Sequence, residues 1–402
     1  MRDNTYFEIP EGVTILAGAA QLENTPWEPF STSVMNFLNT LSEMIRRLPG
    51  KEAGEEIKAL GFWLRRAHLM EYKENFERTG ALGLGLSFHI APSNVPLMSG
   101  YSMAIGLLAG NACLVRLSRR HSLMDEKLCK LIDRILSDER FAGFRKRISF
   151  VTYDRERRDV TELFSRKCDA RIIWGGNDTV EEIRSIPLNP AAAEVVFPDR
   201  TSMAVFSAEA VTALSDEDLK ILADRFYNDT YGMDQNACSC PKIVFWKENE
   251  KETGRKASDR FWCAVAEASE RYALSEIKVS LKYGALWECA GLDAKIQRIR
   301  RWKNRLYVLE TSDIPEGTSG SWMQFGSFLE YHMRGEEDWT DAVSENTQTL
   351  VFFGIDRESL RNTVLTRRLK GTHRIVPVGQ ALQMDLVWDG KDLIGQLSRT
   401  IR

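Results

Sequence analysis

Between residues 84 and 197 the apolar positions fall into short strand-length blocks separated by stretches with helical spacing. Residues 84–90, 112–117, 148–153, 170–174 and 194–197 are rich in β-branched and aromatic side chains, whereas 97–108, 124–136 and 155–165 carry the helical repeat. A further helix is opened by Asp178, with Glu181 three residues on. This βαβ series predicts a mostly parallel sheet with helices on both faces and ligands beyond the carboxyl ends of its strands. Upstream, Met35, Leu38, Leu41, Ile45 and Leu48, then Ile57, Leu60, Leu64 and Tyr72, predict a mostly helical N-terminal segment.

A second block opens near Thr201 with the strand-like "TSMAVFS", followed by a helix capped at Ser215. It leads into "GMDQNACSCPKIVFW", residues 232–246, where Cys238 and Cys240 stand at the mouth of an apolar run. The polar stretch "KENEKETGRKASD" reads as a surface excursion, and the tail "THRIVPVGQALQMDLVWDGKDLIGQLSRTIR" returns to strand-like and then helical pattern. A boundary near residue 200 divides the chain into domains 1–200 and 201–402, with no internal repeat.

Composition narrows the classes of partner. With 402 residues, 43% of them hydrophobic, the chain can bury substantial cores, and a net charge of -3 advertises no nucleic-acid partner. The opening Met1-Arg2-Asp3-Asn4 has no signal-peptide core, and seven cysteines without regular spacing suggest reduced thiols; both predict the cytosol. Residues 87–115 hold no Asp, Glu, Lys or Arg, a length that could cross a bilayer. Pro92, Ser93, Asn94, Pro96, Ser99, Ser102 and Asn111 interrupt it, so a buried strand-loop-helix-strand unit is expected instead of a membrane span.

The two cysteines admit three readings: buried structural thiols, half of a metal site, or a nucleophile at an element boundary. Zinc needs two further ligands, and the histidines at 68, 89, 121, 332 and 373 offer no evident pair, so no metal is expected. Asn94, between prolines, is by itself a turn residue. Gly175-Gly176 marks a strand-to-helix turn where backbone N–H groups can also face a cofactor phosphate. Gly83 and Gly85 lack the third glycine of a dinucleotide fingerprint and read as strand geometry.

"FHIAPSNVPLMSGYSMAIGLLAGNACLVRLS", residues 88–118, resembles the aldehyde dehydrogenase superfamily. "IAPSNVP", "IIWGGNDTV", "DQNACSCPK", "QTL" at 348–350 and "RIVPVGQALQMDLVWDG" at 374–390 resemble, in order, one branch: the LuxC-like acyl-CoA reductases, the reductase component of the luminescence fatty-acid reductase. The resemblance implies a Rossmann-like cofactor domain plus an α/β catalytic domain. It implies that Asn94 donates to the oxyanion, that Arg116 and Ser118 hold the adenosine ribose, and that Cys238 is the nucleophile, with Cys240 as the fallback.

The same resemblance implies reduction of an acyl thioester, from acyl-CoA or an acylated partner enzyme, to an aldehyde by a cytosolic homo-oligomer. Hydrolytic superfamily members carry a general-base Glu on the segment that here reads "AAAEVVFPDR"; Val196 stands in its place, with Glu194 two residues early. Reduction is thereby favoured over the runner-up, a hydrolytic aldehyde dehydrogenase; Cys238, Asn94 and the Arg116–Ser118 pair occurring together count against a third reading, a non-catalytic acyl-donor scaffold. "MQFGSFLEY" faintly resembles the segment that holds the nicotinamide ribose, but Met323 falls where its Glu belongs. NAD-preferring members often place an acid three residues after the basic residue, where this chain has Arg119, then Arg120 and His121. A guanidinium suits a 2′-phosphate, so NADPH is expected, with NADH as the alternative.

Overall fold

The computed structural model describes residues 6–49, 54–76, 80–92, 95, 97–291, 295–313 and 323–402. The chain forms two compact units, Met1–Pro198 together with Met384–Arg402, and Asp199–Gln383.

In the first unit, β1 (Thr14–Gly18), β2 (Leu86–Ile90), β3 (Ala112–Leu117), β4 (Ile148–Thr152), β5 (Ala170–Trp174) and β6 (Ala193–Phe197) form one sheet in the order β1-β4-β3-β2-β5-β6. Only β1 runs antiparallel to its neighbour. The helices are α1 (Thr32–Arg46), α2 (Glu55–Trp63), α3 (Arg66–Glu74), α4 (Met98–Leu108), α5 (Leu123–Leu136), α6 (Arg158–Lys167) and α7 (Asn177–Arg184). The chain winds outward from β2 to β4 and then returns to place β5 on the other side of β2. The carboxyl ends of β2 and β5 are therefore a topological switch point.

The uncharged run is explained by α4, whose residues Ser99 to Leu108 are all buried. Its small residues are required by contact: a Cβ on Gly106 would meet Cys113 Sγ at 2.6 Å and His89 Nε2 at 2.8 Å. Among the described residues no helix is long and apolar enough to cross a membrane.

Several sequence expectations are corrected. The N-terminal segment opens with short strands, Tyr6–Glu8 paired with Gln21–Glu23 and β1 in the main sheet, too brief to show a period. The N-cap of α7 is Gly176, without a side-chain cap, and Asp178 sits inside the first turn, where a carboxylate suits the helix dipole. The tail Met384–Arg402 belongs to the first unit. Buried Asn111 shows why: its Oδ1 accepts from Leu84 N and Gly85 N at 2.7 and 3.0 Å, and its Nδ2 donates to Leu397 O at 2.9 Å. Ser398–Thr400 then pairs antiparallel with Ala81–Gly83.

The second unit is built on β7 (Thr201–Ser207), β8 (Pro241–Lys247), β9 (Ile296–Trp302), β10 (Leu306–Thr311), β11 (Ser327–His332), β12 (Thr347–Phe353) and β13 (Arg374–Pro377), in the order β9-β10-β11-β8-β7-β12-β13. All neighbours are parallel except β9 with β10. Its helices include α8 (Asp216–Thr230), capped by Ser215 as expected, α9 (Lys251–Ala268) and α10 (Glu276–Gly291). The polar stretch read as a surface excursion is largely α9. Its apolar positions, Ala257, Phe261, Trp262 and Val265, recur at helical spacing and bury in the core, while its charges face outward.

Asp229, on α8, is buried and accepts from Gly379 N at 2.6 Å and Ala381 N at 2.9 Å. Burial pushes its carboxyl up to about 7, against the pull of those two N–H groups and Arg374. A carboxyl whose folded pKa lies above its unfolded one gives stability that is full below the unfolded value, near 4, and is lost as pH rises through the folded value. The unfolding free energy is therefore expected to fall between about pH 4 and pH 7, by on the order of 4 kcal/mol at most. Thermal unfolding of Asp229→Asn across that window should show a flatter pH dependence; an unchanged slope would remove Asp229 as its source.

Candidate active site

The cysteines lie in a turn between α8 and β8, before the strand begins at Pro241. The chain leaves α8 through a short 3-10 turn and passes two left-handed residues, Asp234 (φ 52°) and Gln235 (φ 60°). This conformation is unfavourable for residues other than glycine, so the surroundings must hold it. Gln235, fully buried, donates from Nε2 to Ser327 O at 2.9 Å and Pro241 O at 3.3 Å, and its Oε1 accepts from Gly326 N at 3.0 Å. Lys242 Nζ donates back to Gln235 O and to Met323 O, the latter at 2.7 Å. Residues 235 and 241–242 thus close the loop that carries Cys238. Ser202 Oγ fixes its middle, donating to Cys238 O at 2.7 Å while accepting from Thr349 N at 3.1 Å. Ser202 opens β7, so Cys238 stands at the amino ends of these strands.

The two thiols differ sharply. Cys240 is fully buried, and burial pushes its thiol up to about 12, leaving it protonated and inert. Cys238 is partly exposed. Lys242 is only 7% exposed; burial pushes its ammonium down to about 8, and charge on Cys240 or Cys238 would pull it back up.

In the first unit the other candidates gather at the carboxyl ends of β3 and β5. Arg116, on β3, lies 4.7 Å from the Tyr153 ring centroid, and its buried Nε has no hydrogen-bond partner. Ser118 Oγ accepts from Arg120 N at 3.2 Å. Arg119 forms an ion pair with Asp154, which follows β4. Gly175 and Gly176 link β5 to α7, and a Cβ on Gly175 would come within 3.0 Å of Thr179. An uncapped helix start beside two glycines, with an unpartnered guanidinium nitrogen near the next strand end but one, suits the phosphate and ribose oxygens of a dinucleotide. Asn94 lies outside the described residues.

Glu194, the residue that a shifted register would make a general base, is on β6. Arg171, itself buried, holds it from Nε at 2.9 Å and Nη2 at 2.5 Å, and Arg184 adds an ion pair at 3.0 Å. Elsewhere, ligand atoms of Glu310, Glu330 and His332 lie within 4.8 Å of one another. Their capacity is already engaged: Glu330 accepts from Arg300, Ser258, Trp246 and Trp262, His332 meets Glu248 at 2.8 Å, and Arg255 is 3.7 Å from Glu310. The buried guanidinium of Arg300 supplies the positive charge that a metal would otherwise bring.

Sequence reasoning passed over Lys242, Ser202 and Asp154. Lys242 did leave a signal: a charge in second place of the otherwise apolar strand "PKIVFW".

The acyl-CoA reductase (LuxC) family profile matches residues 27–279. The chain belongs to this family. The match takes in the Asn94 loop, the glycine pair and the cysteine turn, while the blocks at 348–350 and 374–390 lie beyond it. No curated protein matches in sequence. Among solved structures, aldehyde dehydrogenase 21 from Physcomitrella patens, crystallised with succinate, aligns with a TM-score of 0.66 at 12% identity over 91% of this chain and 84% of that one. An oxidoreductase from Marinobacter aquaeolei gives 0.66 at 14% over 95% and 87%, and lactaldehyde dehydrogenase from Escherichia coli 0.62 at 14% over 92% and 86%. At such identities these similarities show the fold, an aldehyde dehydrogenase-like α/β architecture. Family and fold together make the LuxC-family chain an oxidoreductase that takes an acyl group to the aldehyde with a nicotinamide cofactor.

Proposed function

We propose that this LuxC-family reductase works through a thioester on Cys238, with NADPH as reductant, in the thiol-reducing cytosol. The observation that carries the reading is the contrast within one turn. Cys238 is accessible on a loop clamped at both ends, while Cys240 two residues on is buried and held protonated.

The Cys238 thiolate attacks the carbonyl carbon of an acyl thioester, the donor being acyl-CoA or an acylated partner enzyme. A carbon–sulfur bond forms, and the tetrahedral oxyanion is received by the Asn94 amide and the backbone N–H of Cys238. Its collapse expels the donor thiolate, so one thiolate is consumed and one released. When bound, the reduced nicotinamide supplies the hydride that takes the thioester carbon to the aldehyde level. Cys238 then leaves as thiolate, restored for the next turnover. Arg116, Ser118, Gly175 and Gly176 would hold the cofactor, and Arg119 its 2′-phosphate.

Hydrolysis of the acyl-enzyme would need a base to direct water. Glu194 is engaged by the guanidinium groups of Arg171 and Arg184, and Val196 cannot take a proton. The decisive experiment is NADPH oxidation with a panel of acyl-CoAs of increasing chain length, with aldehyde identified as product. Oxidation of aldehydes to carboxylates without any acyl-CoA reduction would favour the hydrolytic reading, and inactivity in both assays the scaffold reading.

The ion pair of Arg119 with Asp154 puts an acid beside the proposed phosphate contact. Arg119→Glu is expected to raise KM for NADPH far more than for NADH, because repulsion replaces a charge-assisted bond for the phosphorylated cofactor only. Asp154→Asn should shift the ratio of the two KM values the other way, and salt should weaken NADPH binding more than NADH binding at this exposed site. Since Arg120 could substitute, Arg119 and Arg120 are also changed together. An unaltered ratio in all variants would place the phosphate elsewhere or show that NADPH is not preferred.

A further inference from the structure

Lys242 is a buried cation for which neither the fold nor the proposed chemistry has yet given a reason. Burying an ammonium is costly unless it is paired or hydrogen-bonded, and among the described residues no carboxylate pairs with this one. Its partners are two carbonyls, Gln235 O and Met323 O. A neutral amide NH2 could bridge two carbonyls, as Gln235 Nε2 does with Ser327 O and Pro241 O, and would be easier to bury. The charge itself therefore needs an explanation.

The geometry of the turn supplies one. Lys242 ties the carbonyl of left-handed Gln235 to Met323 O, while Gln235 reaches back to Pro241 O, so the two residues clasp the loop at its neck. Cys238 is in that loop, three residues from one side of the clasp and four from the other. Among the described residues the sulfur-bearing groups whose charge acts on Lys242 are Cys240 and Cys238, and Cys240 is too deeply buried to ionise.

We propose that Lys242 is the positioning residue of the nucleophile, holding the Cys238 loop through its clasp with Gln235 and stabilising the Cys238 thiolate with its ammonium. The inference rests on Cys238 being the residue acylated. Thiolate and ammonium stabilise each other, so their apparent pKa values belong to the pair. With burial pulling the lysine down to about 8, thiolate reactivity should lose support as pH rises through the range where the ammonium deprotonates. The other titratable groups around the turn are Cys240, Asp229 on α8, Asp234 with its partners Lys278 and Tyr272, and Lys282, which donates to Phe325 O at 2.9 Å.

The test is the pH profile of Cys238 alkylation by iodoacetamide, read at the peptide level by mass spectrometry, in the wild type, Lys242→Met and Lys242→Arg. Lys242→Met is expected to slow alkylation at pH 7 at least about ten-fold, the effect of a thiol pKa raised by one unit. Lys242→Arg should stay within about three-fold at pH 7 and lose the inflection near pH 8, because arginine remains charged throughout. Every variant keeps the rise that comes from ionisation of the Cys238 thiol itself; a second inflection near pH 8 that survives in Lys242→Arg belongs to Asp229 or another neighbour and overturns the proposal. If circular dichroism shows that Lys242→Met does not fold, the arginine variant decides alone. Acylation of wild-type protein by acyl-CoA is followed in parallel. Acyl groups on Cys238 with a Lys242→Met profile that superimposes on wild type end the lysine's role only; acyl groups on another residue end both readings.

Discussion

Cys238→Ser is expected to abolish acyl transfer from acyl-CoA and to lower aldehyde formation at least about 10⁴-fold, the scale seen when a covalent nucleophile is removed. The thiolate is intrinsically nucleophilic and leaves readily, whereas a serine hydroxyl needs a base to accept its proton. Lys242 is proposed to act beside this turn as a cation, and as a cation it cannot accept that proton. The trapping experiment omits NADPH, so that acyl-enzyme accumulates, and locates the acyl group by mass spectrometry. It should be found on Cys238 in wild-type protein and be absent from the serine variant. Cys240→Ser should keep acyl transfer, since the buried thiol packs and does not react; its effect should be on stability, because a hydroxyl replaces sulfur in a site with Thr230 O 3.9 Å away. Acyl groups on Cys240 would reverse the assignment.

Much of the first unit was legible because its strands and helices are separate words: apolar blocks of strand length alternate with amphipathic stretches, and parallel order follows from that alternation. The charge-free run declared its burial, and α4 is where that burial falls. What failed to show was anything decided at long range. The last residues join the first unit because Asn111 bonds Leu397 O and Ser398–Thr400 finds Ala81–Gly83, pairings with no trace in local periodicity. The start of α9 reads as a polar loop because its outward face dominates the composition, while Ala257 and Phe261 mark the inner face only once the partner sheet is known. At the site, residue types and order carried the resemblance, but not which cysteine is exposed. That depends on the left-handed Asp234 and Gln235, which turn the chain before β8, and on Lys242, whose charge in an apolar strand local rules treat as an error. Glu194 shows the converse: a carboxylate close to the expected base position is disqualified by Arg171, a residue twenty-three positions earlier on the neighbouring strand.

Asn94→Ala is expected to lower turnover by about two to three orders of magnitude while leaving the fold intact. The loop that carries Asn94 follows β2, one of the two strands at the switch point of the first sheet, where open α/β folds place their ligands. β2 ends at Ile90, and the buried helix α4 is entered at Leu97, itself left-handed with φ 63°. If the Asn94 amide meets the oxyanion, its hydrogen bond strengthens as the carbonyl oxygen gains charge. Its loss then falls on the transition state, about 3 kcal/mol for one preorganised donor, with little change in ground-state binding. The signature is a fall in kcat and kcat/KM together with an almost constant KM for acyl-CoA. Acylation of Cys238 measured without NADPH should slow by a similar factor, because the same oxygen carries the charge in both the acyl-transfer and the reduction steps. Asn94→Asp is a second probe: it keeps the shape of the side chain but sets a carboxylate against a developing oxyanion, and should be at least as damaging as alanine. A folded alanine variant with near-normal turnover would return Asn94 to the role its flanking prolines first suggest, a turn residue with no part in the chemistry.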